Sequence, residues 1–556
     1  MSDSPSGEQR RGSRHKRSTS IEPLELVTDV LVLGGGPAGA WAAITAREAG
    51  AEVVLADKGF FGTSGATAPS NTETWCVPPG PEREAAIRRQ LPKSLGLAEP
   101  EALKTTLTLA WNGLHRMIDW KYPFPPNAAG KPYLGNLRGP DYMRFMRRHA
   151  IGAGVRVLDH HPALEFLADA SGVGGAVGID RQFGRPWRAR ASAVVLATGG
   201  CAFGERILGA TGLTGDGYLL AAEAGISLTG MEFSSQYAVA PLHSSISKGM
   251  PYRWATFYDC DGHDLGNGGD DRQTLVAHAM RKGPVYASLD RAGPDVQRWL
   301  RAGQPNCFLA FDRNGIDPFT ERFPVALRAE GTVRGTGGIK VDGLDCNTGV
   351  DGLFAAGDVA SRQHMSGAVT GGGGPNSSWA IASGQIAGRA AATHARAMRR
   401  SRDARRLEGL GEAGLRPRSG AKRSASAGLA PHDVISEVRR TMLPPETNFA
   451  RSDRDITTSR NRLNGVWSEL RDGLGSDAHG RLKPREAAAL VAASRWVLAS
   501  AAARTETRGM HRRADHPDTD AADLYRVVVG GLDELVVATE PIAPFRQSGP
   551  GGDPAQ

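Results

Sequence analysis

The run TDVLVLGGGPAGAWAAITAREAGAEVVLADKG, residues 28–59, decides how the rest of the chain is read. Thr28 to Leu33 is a short apolar run of β-branched and leucine side chains, the signature of a buried strand. It runs straight into Gly34-x-Gly36-x-x-Gly39, with Pro37 and Ala38 between the last two glycines. An Ala-rich helix then covers Ala40 to Ala49, and a second apolar run covers Ala51 to Ala56. This is a βαβ unit. Glycine at these spacings lets a pyrophosphate approach the backbone and the free N–H groups of a helix N-terminus. Asp57 follows the second run, 18 residues beyond Gly39, where an acid meets the ribose hydroxyls of a dinucleotide. Lys58 comes next. The motif alone does not choose between NAD and FAD.

Distant segments make that choice. Residues 190–197 form another buried strand and end in ATGG, Ala197-Thr198-Gly199-Gly200. TGDG, Thr214 to Gly217 with Asp216, opens an Ala-rich helix. GLFAAGD, Gly352 to Asp358, ends a further strand in an acid placed to accept from ribityl or phosphate-side groups. Asn376-Ser377-Ser378 opens a helix over 377–398, whose N–H groups can face a carbonyl that gains negative charge. A reduced flavin carries such charge, so the expected cofactor is FAD.

Between these segments the rhythm changes. Residues 231–335 lack βαβ order and are dense in Gly, Asp and aromatic side chains, as in an inserted unit. Residues 431–512 are Leu/Ala-rich and helical, and Tyr525–Val529 is strand-like. The expected organisation is a basic disordered tail (1–22), a first FAD-binding segment (23–230), a cap (231–338) and a second FAD-binding segment (339–398). A flexible basic linker (399–430), a helical C-terminal domain (431–530) and a polar tail (531–556) complete it.

The 556 residues suffice for several lobes. The net charge of +8 is concentrated. Residues 1–20 hold five Lys/Arg against two acids, and residues 396–425 hold ten against three. The remainder is slightly acidic, so the charge does not mark a nucleic-acid-binding body. Five scattered cysteines without a C-x-x-C argue against a disulfide scaffold or an iron–sulfur site, and no metal site is expected. Reduced thiols fit a cytoplasmic protein. No run reaches the ~18 apolar residues of a membrane span.

The order GxGxxG, ATGG, TGDGYLLAAEAG, MEF, GGI, GLFAAGD, NSS, GQIAGRAA resembles the fumarate reductase/succinate dehydrogenase flavoprotein family, with some similarity to the adenylylsulfate reductase flavoprotein. RTETRGMHRRADHP, Arg504 to Pro517, is similar to the family's C-terminal R-x-E-S-R-G-x-H-x-R-x-D-x-P. The resemblance implies an α/β fold: a Rossmann-like FAD-binding domain, an inserted α+β capping domain and a C-terminal helical domain. By position it assigns Gly34, Gly36, Pro37, Ala38, Gly39, Asp57, Lys58, Ala197, Thr198, Gly199, Asp216, Asp358, Ser377 and Ser378 to the cofactor. It places the loop TSGAT, with Ser64, Gly65, Ala66 and Thr67, beside the flavin.

The departures matter as much. Gly65 stands where succinate dehydrogenases carry the histidine that bonds covalently to the flavin, and glycine has no side chain to bond. The expected FAD is non-covalent. Tyr237 replaces the His of MEF-x-Q-F-H; GTVRGTGGI, Gly331 to Ile339, lacks the His of H-x-T-M-G-G; Thr370 stands near the substrate-binding Arg. A bidentate Arg clamp is hard to replace, so succinate and fumarate are not the expected substrates. The family's proton-shuttling Arg aligns with Gln273, or with Arg272 after a one-residue slip. Arg272, Tyr237, His364 and Arg513 are the catalytic candidates; Tyr237 can equally pack in the cap hinge, and Arg513 can equally serve an inter-domain ion pair. The expected function is an FAD-dependent oxidoreductase moving a hydride between a small organic molecule and FAD. Two alternatives stand beside it. One is a flavoprotein subunit that needs an iron–sulfur partner, with a ferredoxin-like protein or another acceptor taking electrons. The other is a flavin-binding protein without turnover.

Overall fold

The computed structural model describes residues 22–542 apart from 128, 248, 342–344, 371–372, 419–428, 474–479 and 522–523. The basic tail therefore lies, but for Glu22, outside the described residues, as do part of the linker and the end of the polar tail.

The strand read from residue 28 begins earlier, at Leu24, and runs to Leu33. It is the centre of an eight-stranded sheet. Val53–Ala56 pairs parallel on one side and Pro186–Leu196 parallel on the other. Arg156–Leu158 and Leu353–Ala355 extend the parallel part. Ala163–Asp169 and Gly172–Ile179 form an antiparallel meander on Pro186–Leu196. Parallel strands buried on both faces require continuous apolar runs, and Val30 to Leu33, Val53 to Ala56 and Ala191 to Leu196 are all buried. The helices Pro37–Glu48 and Gly374–Met398 cover one face. Their backbones approach closely at two glycines: a Cβ on Gly384 would stand 2.5 Å from the Ala38 carbonyl oxygen, and one on Gly388 would stand 2.3 Å from that of Ala42. In such α/β sheets ligands bind beyond the carboxyl ends of the strands.

The cap is a five-stranded antiparallel sheet in the order Tyr237–Pro241, Phe323–Ala329, Val285–Ser288, Thr256–Tyr258, Asp264–Gly266. Helices Arg272–Met280, Pro294–Gly303 and Pro305–Asn314 accompany it. Its core of Phe257, Phe308, Phe311, Phe323 and Val325 is separate from that of the main sheet, and Phe449 of the C-terminal region belongs to it.

Helices Pro431–Met442, Asp453–Asp472 and Leu482–Ala503 form the C-terminal bundle. The last is long and apolar enough to cross a membrane by length and composition, contrary to the expectation from uninterrupted apolar runs; 89% of its apolar window is buried inside the protein. The region read as a polar tail differs from expectation. Val536–Pro541 is a strand that pairs with Tyr525–Gly530. Tyr525–Gly530 in turn pairs with Leu228–Thr229, which pairs with Gly338–Ile339. The chain thus enters and leaves the cap through two short strands fastened to the C-terminal domain.

The linker also differs from expectation over its described part. Glu408–Gly409 adds to the edge of the meander. Arg405 pairs with Asp169 at 2.6 Å and Arg416 with Glu165 at 2.8 Å. The cations that composition assigned to a flexible segment meet acids on the sheet edge, a match invisible to local sequence.

The three parts meet at buried charges. Arg504 and Glu232 are both fully buried and 3.1 Å apart, and Glu506 takes a second Arg504 nitrogen at 2.8 Å. Arg504 also donates to the Tyr525 carbonyl at 2.7 Å. Removing one member of a buried pair strands the other charge. Arg504→Met is expected to destabilise the protein by about 3–5 kcal/mol, seen as a lower urea midpoint. Adding Glu232→Gln should restore part of the loss; a single variant as stable as wild type would contradict the pairing.

Candidate functional site

Beyond the carboxyl ends of the central strands lies a cavity of about 940 Å³. The β-to-α turn at its floor is set by three glycines with different tasks. Gly34 has φ +107°, and a Cβ there would stand 2.3 Å from the Ala197 carbonyl oxygen. A Cβ on Gly39 would stand 1.8 Å from the Gly34 carbonyl oxygen, so this glycine holds the helix against the strand. Gly36 has nothing within 4 Å of a Cβ position, which leaves open space at the helix start. Small residues thus clear a cradle at a helix N-terminus, the arrangement a pyrophosphate requires.

Asp57 is buried and its carboxylate is well supplied. Oδ2 accepts from Gly35 N–H at 2.6 Å; Oδ1 accepts from Gly59 N–H at 2.7 Å and from Ser64 Oγ at 2.8 Å. It ties the glycine turn to the TSGAT loop, and both line the cavity. Asp358, which also lines the cavity, is in reach of Arg362, 3.4 Å away and fully buried. Burial pushes the Asp358 carboxyl up, against the pull of the Arg362 guanidinium and a hydrogen bond from Asn376. Asn376 and Ser377 sit in the first turn of Gly374–Met398 and face the cavity. Ser377 Oγ donates to the Glu73 carbonyl. Two buried cavity-lining atoms, Thr198 Oγ1 and Asn376 Oδ1, have no hydrogen-bond partner among the described residues. An open cradle, a ribose-side acid and these two unsatisfied polar atoms fit a bound dinucleotide.

Of the expected cofactor residues, Gly34, Gly36, Pro37, Ala38, Asp57, Lys58, Ser64, Gly65, Ala66, Thr67, Ala197, Thr198, Gly199, Asp216, Asp358 and Ser377 line this one cavity. Gly39 and Ser378 lie behind it. Ser378 is fully buried, and its Oγ accepts from Trp75 N–H at 3.0 Å.

The catalytic candidates separate. Arg272 and Gln273, the first two residues of a cap helix, line the cavity. Tyr237 does not. It is buried against Phe449, and its hydroxyl donates to the Leu443 and Pro444 carbonyls at 3.2 and 3.3 Å. The strand directs it to the C-terminal domain, so it packs in the hinge. His364 is also buried away from the cavity, edge-on to Trp379 at 4.9 Å. Burial lowers its pKa to about 3, so it stays neutral near pH 7 and is no proton donor there. Arg513 is fully buried and pairs with Asp453 at 2.6 Å and Asp515 at 2.8 Å. It fastens one C-terminal segment to another and does not reach the cavity.

Sequence reading missed several cavity residues on the cap side: Arg253, Gln236, Gln304, Glu330 and Arg334. Glu330 lies 3.3 Å from Arg334 and accepts from Ser247 at 2.9 Å. Arg253, Arg272 and Arg334 therefore place three guanidiniums along this end of the cavity, with Glu330 paired to Arg334 and the Asp358 carboxylate also within the field of Arg334. Arg334 lies inside the quoted GTVRGTGGI; a search for a cation of either type in that loop, rather than for histidine, would have found it.

A family model described as FAD binding domain matches residues 29–375, and one described as fumarate reductase flavoprotein C-term matches residues 478–539. An L-aspartate oxidase of Streptomyces coelicolor is 26% identical, covering 91% of each chain. A fumarate reductase (CoM/CoB) subunit of Methanothermobacter marburgensis is 24% identical over 88% of this chain and 95% of that one. Among solved structures, quinol fumarate reductase of E. coli superposes with a TM-score of 0.79 at 20% identity, covering 96% of this chain and 99% of that one. Adenylylsulfate reductase of Archaeoglobus fulgidus gives 0.76 at 20% identity, covering 95% and 98%.

Proposed function

Since this chain belongs to the FAD-binding flavoprotein family that includes fumarate reductases and L-aspartate oxidases, and is with them an FAD-dependent oxidoreductase, we propose that it transfers a hydride between a small organic anion and a dissociable FAD. One observation carries this reading: Arg272, from the cap, lines the same cavity as the glycine turn and the Asn376–Ser377 helix start. FAD, when bound, supplies the two-electron chemistry. The protein's own residues bind, orient and exclude water. Gly34, Gly36, Asp57, Thr198, Asp358, Asn376 and Ser377 would hold the cofactor. Gly65 offers no atom for a covalent link. Arg253, Arg272 and Arg334 supply positive charge where the cap closes the cavity, which suits a substrate with an anionic group. Of Arg272, Tyr237, His364 and Arg513, Arg272 alone lines the cavity, and the accompanying proton falls to it.

Tyr237 and the 331–339 loop lack the family's histidines and Thr370 stands near its arginine, so succinate and fumarate are not the substrates we infer. Anaerobic incubation with a panel of organic anions is expected to bleach the flavin absorbance with at least one of them, while succinate leaves it intact. Bleaching by succinate as fast as by any other compound would overturn the substrate reading, and no bleaching by any anion would overturn the reaction. The methanogen relative, itself one subunit of a fumarate reductase, favours a second element: the reduced enzyme passes its electrons to a protein acceptor of ferredoxin-like type. Slow reoxidation by air together with fast reoxidation by a reducible iron–sulfur protein would support it.

A further inference from the structure

Four charged side chains alternate in sign along the other end of the cavity. Lys58 Nζ lies 2.8 Å from Asp216 Oδ2 and 2.8 Å from Glu486 Oε1. It also donates to Thr214 Oγ1 at 2.8 Å and to the Gly212 carbonyl at 3.2 Å. Glu486 receives Lys483 Nζ at 2.6 Å. All four charged residues line the cavity, beside Asp57, His161 and Ala163. Lys58 and Asp216 belong to the sheet domain. Lys483 and Glu486 stand in the first turns of Leu482–Ala503, the central helix of the C-terminal domain.

The acid after the second strand marks the ribose side of a dinucleotide, so this is the adenosine end. Glu486 has only 7% of its side chain exposed, and Lys58 only 20%. Burial disfavours the Lys58 ammonium, yet Asp216 and Glu486 more than offset this and hold its pKa above the usual lysine value. Burial likewise disfavours the Glu486 carboxylate, and Lys58 and Lys483 outweigh it and hold that pKa low. Lys58 and Glu486 thus hold each other in the charged form against burial, and the cluster exists only while the C-terminal helix is docked.

We propose that the C-terminal helical domain completes the adenosine end of the FAD site. Glu486 is a positioning residue that fixes the Lys58 ammonium on the cavity wall, and Lys483, 45% exposed, adds a second cation at the rim. Cofactor retention then reports the docking of a domain that supplies none of the glycine-turn or helix-start groups. This inference rests on the FAD reading of the cavity.

The test uses the full-length apoprotein and three probes: FAD, ADP as the adenosine-side half, and FMN as the flavin-side half. Glu486→Gln is expected to weaken FAD and ADP by about tenfold each, a change of about 1.4 kcal/mol, and to leave FMN within twofold. Lys58→Met should do the same, and the double variant should bind FAD no worse than Lys58→Met alone, because the two act as one unit. Lys483→Met, at the exposed rim, gives a check free of folding damage, with a smaller loss in the same pattern. Unchanged or tighter FAD binding by Glu486→Gln would overturn the proposal, as would equal losses for ADP and FMN, which mark general loosening. If the wild-type chain bound none of the three probes, the FAD reading itself would be what failed.

Discussion

Gly36→Asp is expected to leave the apoprotein folded and to abolish cofactor retention. The position has φ −71° and caps the helix Pro37–Glu48 without a side-chain hydrogen bond. A Cβ there meets nothing within 4 Å. Aspartate is a favoured N-cap residue, so the helix loses nothing and the apoprotein melts at the same temperature or slightly higher. The same carboxylate projects into the cradle that a pyrophosphate would fill. Two unit charges about 4 Å apart near a protein surface repel by about 4 kcal/mol, which is roughly a thousandfold in affinity. Fluorescence titration of the apoprotein with FAD measures it. Retention of FAD within tenfold of wild type would show that the cradle is not where the diphosphate sits. Gly39→Ala is a poorer probe, because its Cβ would collide with the Gly34 carbonyl and move the helix itself.

Arg272→Gln is expected to lower kcat/KM by about a hundredfold while the protein keeps its full complement of FAD. Hydrogen bonds to charged groups contribute about 1.5–3 kcal/mol, and the larger value corresponds to roughly that factor. The side chain projects from the first turn of a cap helix, remote in the chain from every glycine of the cofactor turn. Steady-state rates on the best substrate from the anion panel, together with flavin content per chain, separate the two effects. Full activity would remove Arg272 from the site, and loss of flavin in parallel with activity would make its role structural. Tyr237→Phe is the contrast. Among the described residues its hydroxyl donates to the Leu443 and Pro444 backbone carbonyls, so kcat/KM is expected to change less than about threefold, roughly 0.6 kcal/mol.

Much of the cofactor half was legible in the chain because its chemistry is local. A strand, a glycine turn and an acid lie within 30 residues of Thr28, and the physical demands of a pyrophosphate fix their spacing. The later segments were legible because each is a strand end or a helix start, where backbone groups carry the function. The cap side was harder. Position along the chain does not say where a side chain points, and in the strand Tyr237–Pro241 the tyrosine is directed at Leu443 and Pro444. Arg513 lies in a short motif shared with the family and His364 in the loop after Asp358, yet burial has turned His364 into a neutral packing group and Arg513 into an ion-pair hub. Arg253 carries no local signal at all. Lys483 and Glu486 follow Lys58 by more than four hundred residues, and only the docking of a helix brings them to it. The linker shows the same limit. Arg405 and Arg416 look solvated in sequence and are paired to Asp169 and Glu165 in the fold.

The central claim is that this cavity holds a dissociable FAD which a substrate bound under the cap can reduce. Acid precipitation of the purified, FAD-loaded protein tests its first half directly. The expected result is about one FAD per chain in the supernatant and a colourless pellet. Flavin that stays with the precipitated chain, or a chain that cannot be loaded with FAD at all, would contradict it.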